Sequence, residues 1–207
     1  MSHHAGFWNM IAKRYSRQPI ADEASYQKKL HVTHDYLSSE SRVLEFGCGT
    51  GSTAIFHAPD VAYIHAIDIS EQMLNIAEKK TQDAGIENLT FARTDLEHLN
   101  SEQESWDVIM GMSVLHLLPD RQAELDRVYQ LLKPGGVFIS STACLSDSGL
   151  AFRMIAPLLR CLPFLPSVYV FSVSGLQLAL KQAGFDIEYQ WQPGKNAAVF
   201  IVARKPE

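Results

Sequence analysis

Cysteine is scarce in this chain. Cys48, Cys144 and Cys161 are the three present in 207 residues, an odd number standing far apart. Such usage implies no disulfide framework, and no Cys or His run has metal-ligand spacing. A reducing, cytoplasmic setting is expected. Excess charge is also lacking: 18 basic against 23 acidic side chains leave a net charge of −5. That argues against nucleic acid as the main partner, because a phosphate backbone is met by a basic surface. Residues Met1 to Gly6 do not have the basic-then-apolar order of a secretion signal. No internal repeat or low-complexity segment is visible. The one long apolar stretch, 146–171, is interrupted by Arg153, Arg160, Pro157, Pro163 and Pro166. These interruptions exclude a transmembrane helix. A lid or insert that buries an apolar substrate is the preferred reading. Peripheral membrane contact and a dimer surface compete with it, so monomer and homodimer both stay open. The length suits a single domain over 1–207 with a substantial core.

What is present is organised around Val43-Leu44-Glu45-Phe46-Gly47-Cys48-Gly49-Thr50-Gly51-Ser52-Thr53. Arg42 to Phe46 reads as a buried parallel strand. The alternating glycines allow a sharp turn and close approach of a ligand to the backbone. Thr50, Ser52 and Thr53 supply candidate capping oxygens for a helix N-terminus. Free N–H groups there are expected to hold a polar ligand end. Cys48 is read as a small packing residue rather than a nucleophile. A second strand, Ala62 to Ile67, ends at Asp68, about twenty residues after Gly47. That is the spacing of an acid holding a ribose diol in a nucleotide-binding βαβ unit. A third strand, Leu89 to Arg93, leads to Asp95, placed to accept from an adenine amino group.

Helices are expected over 7–15, 22–37, 53–58, 71–84, 121–132 and 172–182, and the first two form a helical cap over 1–40. Further strands are expected over 106–110, 137–142, 185–191 and 197–203. Asp107, at the start of a strand, points away from the site and reads as structural. Tyr26, Lys28, Lys29 and His31 face either the site mouth or solvent, with solvent preferred for the lysines. Ile69 and Met73 are placed to line an adenine pocket, although a plain core role suits Met73 almost as well.

Glu45-Phe46-Gly47-Cys48-Gly49-Thr50-Gly51 resembles the ExGxGxG signature of class I S-adenosylmethionine-dependent methyltransferases. Ala66-Ile67-Asp68-Ile69-Ser70 resembles their ribose motif, and Leu132-Lys133-Pro134-Gly135-Gly136-Val137-Phe138 their turn before the fifth strand. The resemblance covers roughly 42–141. It implies an α/β fold: a doubly wound, Rossmann-like, seven-stranded sheet, mostly parallel with an antiparallel last strand, and helices on both faces. It implies S-adenosylmethionine as cofactor and S-adenosylhomocysteine as product. The implied cofactor-binding set is Tyr15, Glu45, Gly47, Cys48, Gly49, Gly51, Asp68, Ile69, Met73, Asp95, Leu96, Gly111 and Met112, with no metal.

Methyl transfer from a sulfonium is an in-line displacement with a good leaving group, so the protein's main task is positioning. An acceptor that carries a proton also needs a base. His116, close after the fourth strand, is the best candidate, with His31 and Tyr15 weaker. A helix-start packing role for His116 remains the competing reading. Met110-Gly111-Met112-Ser113 replaces the NPPY-type run of amino-methylating nucleic-acid enzymes. No paired glutamates of the protein-arginine type and no catechol-type metal ligands appear. A small, apolar or amphipathic methyl acceptor is therefore expected. A nicotinamide dehydrogenase would carry GxGxxG instead of GxGxG. A non-catalytic cofactor-binding partner or regulatory subunit is the alternative, which the retained Glu45, Asp68 and Asp95 disfavour without excluding.

Overall fold

The structure, a computed structural model, describes residues 4–144, 167–194 and 197–207. The expected insert over 146–171 lies outside these residues except at its end, 167–171. Strands β1 (Arg42–Phe46), β2 (Tyr63–Asp68), β3 (Leu89–Arg93), β4 (Trp106–Met112), β5 (Leu132–Thr142), β6 (Asp186–Trp191) and β7 (Val199–Arg204) form one sheet in the order β3-β2-β1-β4-β5-β7-β6. The first five pair in parallel, and β7 enters antiparallel between β5 and β6. Helices are α1 (His4–Tyr15), α2 (Glu23–His34), α3 (Ser52–His57), α4 (Glu71–Asp83), α5 (Arg121–Leu131) and α6 (Val173–Gln182). No helix among the described residues is long and apolar enough to cross a membrane.

Alternation along the strands builds two cores, because successive side chains leave a strand on opposite faces. Leu44, Phe46, Ile67, Ile109, Phe138 and Ile201 face one core, together with Leu125 and Val128 of α5 and Leu176 and Leu180 of α6. Val43, Ile64, Ala66, Val108, Met110, Ile139 and Val202 face the other, together with Ala54 of α3 and Leu74 of α4. Each fully buried aliphatic or aromatic side chain contributes about 1.5–3 kcal/mol. The central strands are apolar on both faces, as a covered parallel sheet requires.

Local chemistry sets the helix ends. Asp22, Ser70, Asp120 and Ser172 each accept from a backbone N–H three residues on, capping α2, α4, α5 and α6. The cap of α3 differs from expectation. Gly51, in the left-handed region at φ 72°, occupies the cap position and no side chain bonds there. Thr50 Oγ1 and Ser52 Oγ instead accept from Lys80 Nζ at 3.0 and 3.3 Å. The Lys-Pro-Gly-Gly segment also differs. Expected as a turn before a strand, it lies inside β5, where the pairing with β4 shifts register between Trp106 and Val108. A Cβ at Gly136 would stand 2.9 Å from the Lys133 carbonyl and 3.0 Å from that of Asp107. Asp107 is structural, as expected: its carboxylate accepts from Arg42 N at 2.8 Å and Lys133 Nζ at 2.7 Å.

Helix α1 is placed by Asn9, whose side-chain oxygen accepts from Ser70 Oγ at 2.7 Å and Gln72 N at 3.1 Å. The amino end of α4 thus holds α1 across the carboxyl edge of β1 and β2.

Candidate active site

Two cavities meet at the carboxyl edge of the sheet, where an α/β fold presents its ligands. The first, about 450 Å³, is lined by Trp8, Tyr15, Gly47, Gly49, Asp68, Ile69, Met73, Asp95, Leu96 and Met112, among others. The second, about 370 Å³, is lined by residues that include Tyr15, Tyr26, Lys29, Glu45, Gly47, Cys48, Gly49, Lys80, Met112 and Ser141. Tyr15, Gly47, Gly49, Met112 and Ser113 belong to both. The wall they share is the glycine turn on one side and the end of β4 on the other.

The glycine turn is closed on itself. Cys48 N donates to the Ile67 carbonyl at 3.1 Å, Gly49 N to Asp68 Oδ2 at 2.8 Å and Gly51 N to the Cys48 carbonyl at 3.0 Å. These three N–H groups are therefore committed within the protein. The turn's contribution is shape. Gly47 has φ 63°, and a Cβ there would stand 2.6 Å from Val114 Cγ2. Across the shared wall, Ser113 holds φ 59°, an uncommon conformation for a residue with a Cβ. Its N–H donates to the Ser141 carbonyl at 2.7 Å, fixing the end of β4 against β5.

Two carboxylates dominate the electrostatics. Asp68 is 8% exposed, and its second oxygen, Oδ1, accepts from Ser70 N at 2.8 Å. Burial raises its pKa, while the N–H groups of Ser70, Gly49 and Ile69 oppose the rise. The carboxylate retains acceptor capacity beyond these backbone bonds. Glu45, next to last in β1, is 2% exposed and its Oε2 has no partner among the described residues. Burial, with a smaller contribution from the Asp68 charge, pushes its pKa up to about 8 against an opposing backbone bond at Ala54. An unpartnered buried carboxyl oxygen is costly, and it marks the place where a cationic ligand group would fit.

The model of a methyltransferase domain matches residues 43–136. A ubiquinone biosynthesis O-methyltransferase from Xylella fastidiosa (strain 9a5c) is 30% identical over 222 aligned positions, covering 92% of this chain and 89% of that one. The chain belongs to the class I S-adenosylmethionine-dependent methyltransferases. The crystal structure of Bacillus subtilis YcgJ shares the fold, with TM-score 0.72 and 19% identity over 87% of this chain and 99% of that one. So does an S-adenosylmethionine-dependent methyltransferase from Mesorhizobium loti, with TM-score 0.70 and 22% identity over 86% and 96%. The [4+2]-cyclase SpnF has TM-score 0.73 at 18% identity over 86% and 80%, so the fold alone does not fix the chemistry.

This methyltransferase is an enzyme that uses S-adenosylmethionine. Its residues fit that cofactor on two observations: the orphaned Glu45 oxygen suits an ammonium group, and Asp68 has acceptor sites left for two hydroxyls. Most of the expected binding set converges here: Tyr15, Glu45, Gly47, Cys48, Gly49, Asp68, Ile69, Met73, Asp95, Leu96 and Met112 line one cavity or both. Two glycines do not. A Cβ at Gly51 would stand 2.9 Å from Ala77 Cβ, and one at Gly111 would stand 2.6 Å from the Phe46 ring. Both serve packing between elements. Asp95 lines the first cavity, but its Oδ1 accepts from His98 N at 3.0 Å and is 2.6 Å from His98 Nδ1.

His116 lines neither cavity. It sits in a short 3₁₀ turn, Leu115–Leu117, its carbonyl accepts from Tyr169 N at 2.7 Å, and burial lowers its pKa. Its Nδ1 is buried with no hydrogen-bond partner among the described residues. Sequence reasoning missed Glu124 and Ser141. Trp8, at helical spacing from Tyr15 on α1, lines the first cavity with it. Glu124, on α5, lines the first cavity, and burial, then Asp95, Glu97 and Asp120, raises its pKa to about 7. No local pattern announces it. Lys29, expected in solvent, is half-buried and donates to Ser141 Oγ at 2.9 Å. Lys28 behaves nearer expectation, exposed, with its nitrogen 4.3 Å from the centre of the Trp191 ring.

Proposed function

We propose that this enzyme transfers the methyl group of S-adenosylmethionine to an oxygen of a small acceptor that enters through the second cavity. The observation that carries this reading is the shared wall at Gly47, Gly49, Met112 and Ser113. A ligand whose nucleoside occupies the first cavity extends across that wall toward Glu45. When bound, the cofactor supplies an electrophilic methyl on a sulfonium.

The chain's own residues do the rest by placement. Asp68 accepts from the ribose hydroxyls. Glu45 accepts from the α-ammonium. Ile69, Met73 and Leu96 pack the adenine, and Asp95 takes its amino group. Tyr15 closes the junction from α1. The remainder of the second cavity, bounded by Ile20, Tyr26, Leu30 and Ser141, holds the acceptor. With reactive groups pre-positioned and water displaced by α1 and α2, placement supplies most of the acceleration. Acceptor size is supported by the cavity's about 370 Å³, within the range of small-molecule sites. Oxygen as acceptor atom is supported by the relatives named ubiquinone biosynthesis O-methyltransferases.

The test is cofactor titration by calorimetry followed by turnover with labelled methyl donor. Small phenols, carboxylic acids, amines and thiols are offered in parallel. S-adenosylmethionine binding and label on an oxygen acceptor are expected. Label confined to nitrogen or sulfur acceptors, or binding without any turnover, would overturn the reading.

A further inference from the structure

Lys29 is the feature of the second cavity that cofactor binding does not absorb. It lies on α2, one helical turn after Tyr26, and reaches across to the end of β5. Its nitrogen donates to Ser141 Oγ at 2.9 Å, and Ser141 is itself 3% exposed. Among the described residues no carboxylate pairs with it. Asp22, the acid that raises its pKa, is engaged as the cap of α2, accepting from Ser25 N at 3.0 Å and Ser25 Oγ at 2.5 Å. Glu45 in the same cavity is needed for the cofactor's ammonium. The cavity's other cation, Lys80, spends its nitrogen on the Thr50 carbonyl, Thr50 Oγ1 and Ser52 Oγ. Burial lowers the pKa of Lys29, the cost of holding an ammonium in a half-buried place without a counter-ion. Tyr15, Ile20, Tyr26, Leu30 and Met112 give the surrounding wall an apolar and aromatic character.

We infer that Lys29 and Ser141 form a seat for an anionic oxygen of the acceptor, so that the enzyme selects small aromatic acceptors bearing a carboxylate or phenolate. This rests on the reading of the second cavity as the acceptor site. A half-buried ammonium with donors to spare gains most from a ligand that brings the missing charge, and the Ser141 hydroxyl, now an acceptor to Lys29, can turn to donate to the same anion. The seat holds the acceptor and takes no part in bond making: the new C–O bond forms at the acceptor's nucleophilic oxygen, which enters already deprotonated, as the S–C bond breaks, and the sulfonium's electron pair leaves with the neutral thioether.

The experiment is binding to enzyme saturated with S-adenosylhomocysteine, so that no turnover intervenes. The probes are 4-nitrobenzoate against its methyl ester, and 4-nitrocatechol against 4-nitroanisole, followed by calorimetry and, for the nitrocatechol, by its phenolate absorption band. The anionic member of at least one pair is expected to bind at least tenfold tighter than its neutral counterpart. The two pairs separate a carboxylate from a phenolate seat. Lys29→Met should remove the preference and any bound phenolate band, and Lys29→Arg should keep most of both. Affinity for S-adenosylhomocysteine should be the same in all three proteins. Equal binding of charged and neutral probes, an intact preference in Lys29→Met, or no binding of any probe would overturn the seat. Loss of S-adenosylhomocysteine binding by the wild type would instead strike the methyl-transfer reading itself.

Discussion

Replacing Glu45 by Gln tests the assignment of the buried carboxyl to the cofactor's ammonium. With a pKa of about 8, the carboxyl is about nine-tenths protonated at pH 7 in the free enzyme. An ammonium seated beside it requires the ionised form. Cofactor binding at pH 7 should therefore release about 0.9 proton, falling toward zero near pH 9. Binding should weaken about tenfold for each pH unit below 8, as the proton competes with the ligand. Calorimetry in buffers of differing ionisation enthalpy measures the release directly. Glu45→Gln matches the shape and charge of the protonated side chain, so the fold should persist. Its proton release should vanish, and its affinity should drop by about 1.5–3 kcal/mol, the range of a charge-assisted hydrogen bond. Stability gives a second readout. The folded pKa lies above the 4.5 of an ordinary glutamate, so the folded state binds the proton more tightly. Stability is fully present below pH 4.5 and lost as pH rises through about 8, to a ceiling of ~5 kcal/mol at about 1.4 kcal/mol per pH unit. Glu45→Gln should flatten that loss. Equal proton release by the wild type and Glu45→Gln, or none by the wild type, would refute the assignment.

Three further outcomes are expected. Asp68→Asn exchanges an acceptor-only carboxylate for a group with one acceptor oxygen, leaving either Gly49 N or Ser70 N unpaired. Cofactor affinity should fall by at least tenfold in calorimetry, with a thermal midpoint lower by several degrees in a melt. Gly51→Ala forces a Cβ onto a left-handed backbone and to within 2.9 Å of Ala77 Cβ. It should cost about 2–4 kcal/mol in urea unfolding, more than cofactor loss alone would explain, because the damage lies in packing. His57 is fully buried, with both ring nitrogens unpartnered among the described residues. Burial, against the attraction of Asp60, lowers its pKa to about 4 from 6.5. The folded value lies below the unfolded one, so its stability contribution is present above pH 6.5 and lost as pH falls toward 4, up to ~3 kcal/mol. His57→Leu should flatten that acid limb in equilibrium unfolding, and an unchanged limb would refute it.

The order of strands and helices was legible because each element carries its own local signal. β1 and β3 fall where alternation and apolar runs place them, and the helices begin at Asp22, Ser70, Asp120 and Ser172 because those side chains satisfy N–H groups within one turn. The positions of Gly47, Asp68 and Asp95 follow from the rule that ligands sit at the carboxyl ends of parallel strands. The turn at Thr50 to Thr53 was misread for the same local reason. Its hydroxyls have capping chemistry, but Lys80, thirty residues away on α4, competes for them.

What the sequence by itself determined is therefore the fold, the cofactor and the strand ends that meet it. These depend on contacts near in the chain or on periodicity that repeats along it. The tertiary structure decided which groups share a space. It withdrew His116 from the cavities, gave Gly51 and Gly111 to packing, left the Glu45 oxygen without a partner, and set Lys29 against Ser141 from 112 positions away. Burial and pairing at that range depend on how α1 and α2 settle across the sheet edge, and no window of sequence carries that information.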